Sequence, residues 1–103
     1  MAQPLVVSIP HRLGRDEAAR RIRSGLGEAR AQFAQVVTLS EGAWEGDRVN
    51  LTASALGQVA NAVIDVRDDH VQVTVELPWL LARFAQAAAP LIERQGTLML
   101  EKK

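Results

Sequence analysis

Between Val37 and Leu77 the apolar residues recur at every second position, and that spacing suits strands rather than helices. Val37 and Leu39 alternate with Thr38 and Ser40. Val49, Leu51, Ala53 and Ala55 alternate with Arg48, Asn50, Thr52 and Ser54. Ala60, Ala62, Ile64 and Val66 share one side of the next run, with Asn61, Asp65 and Arg67 on the other. Val71, Val73, Val75 and Leu77 alternate with His70, Gln72, Thr74 and Glu76. Turn signals separate these runs at Glu45-Gly46-Asp47, Leu56-Gly57-Gln58 and Asp68-Asp69. Connections this short join antiparallel neighbours, so the four runs predict a meander. Each strand has one apolar and one polar side. One face of the sheet must therefore be covered and the other can meet water.

The flanking segments supply the cover. Leu5, Val7 and Ile9 alternate in a first strand that ends at Pro10, which has no amide donor for a ladder. Gly14 opens a turn, and Asp16 and Glu17 place negative charge where a helix begins. Ala18, Ile22, Leu26, Ala29 and Phe33 then recur at helical spacing, which predicts about five turns with one apolar stripe. Arg15, Arg20, Arg23 and Arg30, with Glu28, occupy the opposite side. Gly25 and Gly27 weaken that helix by about 1 kcal/mol each relative to alanine, and glycine there allows a close approach.

The last helix, predicted from Pro78 to about Leu100, carries two stripes where one is usual. Leu80, Phe84, Ala87, Leu91 and Leu98 form the first; Leu81, Ala85, Ala88, Ile92 and Met99 form the second. A small domain buries one such stripe in its own core. The other faces more core, a second copy of the chain, or an outside surface. Pro90 kinks this helix or divides it. The whole chain, residues 1–103, reads as a single α+β domain of order β-α-β-β-β-β-α. It has a five-stranded antiparallel sheet with both helices on one face, a reduced helix-grip-like arrangement.

Composition excludes several functions. Twelve basic residues balance twelve acidic ones, which argues against nucleic acid and gives no attraction to anionic lipid. Cysteine is absent, so no disulfide or thiolate chemistry is expected. No run approaches a membrane span, and the N-terminus lacks the pattern of a signal peptide, so a cytoplasmic domain is expected. His11 reads as a turn residue and His70 as the start of a strand. Asp68, Asp69 and His70 are adjacent, and adjacent residues rarely converge on one ion. No serine lies in a nucleophile elbow, and Gly25-Leu26-Gly27 lies within a helix rather than after a strand. Trp44 beside a turn plugs one end of the core, and the arginine row is a solvated face. We expect no catalytic residues, no cofactor and no metal.

Three segments, in order, carry a resemblance. They are Ile9-Pro10-His11-Arg12-Leu13-Gly14 followed by Glu17-Ala18, then Trp44-Glu45-Gly46-Asp47, then Val66 to Val71 with Leu77-Pro78-Trp79-Leu80-Leu81. Together they resemble the polyhydroxyalkanoic acid system family over nearly the whole chain. The chain departs from that pattern at Ala62, where the family favours glycine. The resemblance implies a non-catalytic accessory role in polyester storage, by protein–protein or granule-surface contact. Combined with the doubled stripe, it makes Trp79, Leu81, Ala85, Ala88, Ile92 and Met99 the expected contact to a granule, a granule protein or a homodimer partner. The alternative is a small helix-grip-like domain that binds an apolar small molecule between sheet and helix.

Overall fold

The computed structural model describes residues 4–55, 57–76 and 85–101. The elements run β1 (Leu5–Pro10), α1 (Arg15–Gln32), β2 (Thr38–Glu41), β3 (Arg48–Ala55), β4 (Gln58–Val66), β5 (His70–Glu76) and α2 (Ala85–Glu101). The sheet order is β1-β5-β4-β3-β2, antiparallel throughout. The α+β order expected from the alternation is the observed one. β1 closes the sheet beside β5, with Ile9 opposite Val71 and Val7 opposite Val73.

The turns take the geometry that their residues allow. Ala55 pairs with Gln58, and Gly57 between them has φ 76°, a left-handed conformation that costs glycine nothing and strains other residues. Gly14 precedes α1 at φ 80° without a side-chain cap. The first turn of α1 is instead favoured by Asp16 and Glu17 at the positive end of the helix dipole.

Alternation in the sequence becomes alternation in burial. Val71, Val73 and Val75 of β5 are buried, as are Val49 of β3 and Ile64 and Val66 of β4. Against them lie Ala18, Ala19, Ile22 and Leu26 of α1 and Leu100 of α2, in one continuous cluster. Both helices therefore cover the same face. The other face carries residues such as Asn50, Asn61 and Ser8, which are exposed.

α2 runs as one helix through Pro90, which lies on its exposed side. Its seating rests on two glycines. A side chain at Gly96 would collide with Ile9, whose Cγ1 would be 3.5 Å from the new atom. A side chain at Gly25 of α1 would collide with Met99, leaving 2.8 Å to Sδ and 2.9 Å to Cβ. At each site a neighbouring side chain packs directly onto the glycine backbone. By contrast, nothing stands within 4 Å of the Gly27 position.

Polar contacts hold the ends of these helices. The Arg21 guanidinium donates to the Leu100 carbonyl in the last turn of α2 and, at 3.1 Å, to Glu17. A cation there complements the negative end of the α2 dipole. Arg20 also donates to Glu17, at 2.6 and 2.9 Å. The bond from Arg20 foremost, then that from Arg21, holds the Glu17 carboxyl at about 2, below its ordinary 4.5. A depressed carboxyl pKa gives stability that is complete above the unfolded value and lost as pH falls towards the folded one. The thermal midpoint should therefore fall between pH 4.5 and 2, and Glu17→Gln should flatten that limb. Parallel profiles for the two proteins would refute the linkage.

Candidate functional site

The polar residues that could have carried chemistry are engaged in structure. His11 Nε2 donates to the Arg67 carbonyl at 3.0 Å, and its Nδ1 accepts from the Leu13 amide at 3.2 Å. The tautomer is assigned from these two partners, and it makes His11 a pin between β1 and the turn before β5. His70 Nδ1 lies 2.6 Å from the Asp69 carboxylate, a bond that holds the Asp69 carboxyl below its usual range. Among the described residues no group of three His, Cys, Asp or Glu side chains converges on a metal position.

The arginine row is largely paired. Arg15 reaches Asp68 at 3.2 Å and Asp47 at 3.6 Å, tying α1 to two turns of the sheet. Arg23 stacks over Trp44 with its guanidinium carbon 4.6 Å from the ring centre, while the Trp44 indole donates to Glu41 at 2.7 Å. Trp44 is half-buried against the core, which is the plug expected for it.

Among the described residues, two apolar features involve α2. The first is its outer side. Leu91 is 62% exposed and Leu98 50%. They lie seven residues apart, two turns along one side of the helix. Exposed Glu93 and Arg94 lie between them in sequence.

The second is a cleft under α2. Its floor is the sheet from β2 to β5, with Leu39, Leu51, Ala53, Ala60 and Ala62 on one side and Val73 and Val75 on the other. Leu26, Ala29 and Phe33 wall it on the α1 side, and Leu91, Ile92 and Met99 on the α2 side. Its volume is about 360 Å³. The cause is local. Ala53 pairs directly with Ala60, so the floor there is methyl groups, whereas further along the same two strands the larger Val49 and Val66 are fully buried. The core is thus filled at one end and open at the other.

The expected contact residues fall in different places. Trp79 and Leu81 lie outside the described residues. Ala85 is the first described residue of α2, and Ala88 is half-buried. Ile92 and Met99 pack against the core, Met99 directly over Gly25. The stripe expected to face outward is therefore turned inward over its second half, and the exposed residues are Leu91, at the edge of the cleft, and Leu98. The inward stripe is Ala89, Ile92, Gly96, Met99 and Leu100, spaced by three, four, three and one. That spacing stood in the sequence, but Gly96 is not an apolar side chain and so did not register in the pattern.

Among the described residues, no helix is long and apolar enough to cross a membrane. The model of one family, described as "Putative polyhydroxyalkanoic acid system protein", matches residues 5–98. No curated protein and no solved structure matches the chain.

Proposed function

The chain belongs to the polyhydroxyalkanoic acid system family, and from that premise we propose that it is a non-catalytic accessory protein of polyester storage that docks through the outer side of α2. The supporting observation is the exposed pair Leu91 and Leu98 on a helix whose opposite side is anchored in the core. A polyester granule offers an apolar surface. A protein that binds it, or binds a protein on it, needs apolar side chains held outward on a rigid element. The surrounding charges, Glu93 and Arg94, form the kind of polar rim that surrounds apolar contacts. The same stripe can be covered by a second copy of the chain, since twofold dimers are the commonest way to cover such a surface.

Leu98→Glu tests this reading. Leu98 is half-exposed and distant from the cleft floor, so the substitution should change stability by no more than ~0.5 kcal/mol. Co-sedimentation with isolated granules should fall about tenfold, corresponding to ~1.4 kcal/mol. Sedimentation at micromolar concentration reads the dimer, and a strict monomer removes it. Granule binding equal to wild type by folded Leu98→Glu would refute docking through this stripe.

A further inference from the structure

We propose that the cleft beneath α2 is a binding site for one uncharged aliphatic chain with an ester-type head, a site that shares only Leu91, at its edge, with the outer stripe. Three observations carry it. At about 360 Å³ the groove reaches the lower range of small-molecule sites. It is bounded by the sheet below and by α1-side and α2 residues on two sides, a groove shape that suits a narrow chain. Its described lining is apolar except for Gln95 and Asn61.

Charge then selects the ligand class. No arginine, lysine or histidine is among the described lining residues. A carboxylate drawn into such a space would lose its hydration with no cation to replace it, a cost that an ester does not bear. Asn61 Oδ1 lies 3.4 Å from the Thr52 hydroxyl, which points its side chain to the opposite face of the sheet. Gln95 is exposed at the rim. Its amide can donate to a carbonyl oxygen at the mouth while the alkyl chain lies over Ala53, Ala60 and Ala62.

The test uses the whole chain, labelled with nitrogen-15, and two probes of equal length, methyl octanoate and sodium octanoate. The ester should shift the amide signals of Ala53, Ala60, Ala62 and Gly96 saturably, and octanoate should bind at least tenfold more weakly. Ala60→Leu fills the floor and should weaken ester binding at least tenfold; Ala53→Val serves the same purpose should that variant not fold. Leu98→Glu, which disrupts the outer stripe at its residue outside the cleft lining, should leave ester binding within twofold. This last comparison separates the cleft from the docking surface, since either can fail without the other. Absence of saturable shifts, equal affinity for octanoate, or undiminished binding by the floor-filling variant would each overturn the assignment.

Discussion

Ile92→Glu should destabilise the protein by about 3 kcal/mol, while Leu91→Glu, one residue away, should change stability by no more than ~0.5 kcal/mol. Ile92 packs against the core cluster from the inner side of α2, beside the cleft. Removing a buried isoleucine costs roughly 2–5 kcal/mol, and a half-buried position takes the lower part of that range. The carboxylate adds to the loss, because no cation is among the described residues lining the space it would enter. Against a total stability of roughly 5–15 kcal/mol, this is a large share. At position 91 the side chain is 62% exposed, and a carboxylate there stays in water. Urea midpoints of the two variants measure the difference. Equal midpoints would mean that α2 is rotated about its axis from the placement described.

Ile92→Glu would reduce granule binding by unfolding the chain, whatever surface makes the contact. It therefore cannot identify that surface, and the informative substitutions are those at Leu91 and Leu98.

How much of this stood in the sequence differs between the sheet and the last helix. The sheet was legible because a two-residue period leaves only two choices of face, and each strand agreed with its neighbours. Val49, Ile64, Val66, Val71 and Val73 are buried as their alternation requires. α1 was legible because its apolar side chains form one stripe. α2 was not, because Ala87, Ala88, Ala89, Leu91, Ile92, Leu98, Met99 and Leu100 leave few polar positions to fix the phase. The phase is set elsewhere, by the backbone approaches at Gly96 to Ile9 and at Gly25 to Met99. These pairs lie more than seventy residues apart, beyond any periodicity. The cleft was illegible for a related reason. The pairing of Ala53 with Ala60 follows from the turn between them, but the height of a helix above those methyl groups depends on what props it at its far end.

That prop is the contact between Gly25 and Met99, and Gly25→Val should therefore cost about 2–3 kcal/mol. Overpacking a close contact costs roughly 1–3 kcal/mol. Part of the clash is with the Met99 side-chain end, which can turn away. The remaining part is with Met99 Cβ, 2.9 Å from the atom that would be added. A Cβ moves only with its backbone, so α2 must shift away from α1. That shift also pulls the Leu100 carbonyl away from the Arg21 guanidinium, which bridges the two helices while Glu17 of α1 holds it in place. The gain in helix propensity on replacing glycine is less than about 1 kcal/mol for a β-branched residue, and it does not offset the clash. Gly27→Ala supplies the control. It lies two residues along the same helix with no atom within 4 Å of the new methyl, so it should raise stability by up to about 1 kcal/mol. Opposite signs in urea unfolding, with Gly25→Val lower than wild type and Gly27→Ala higher, are the expected result. A Gly25→Val protein as stable as wild type would mean that α2 does not rest on α1 at Met99, and the cleft that depends on that seating would lose its wall.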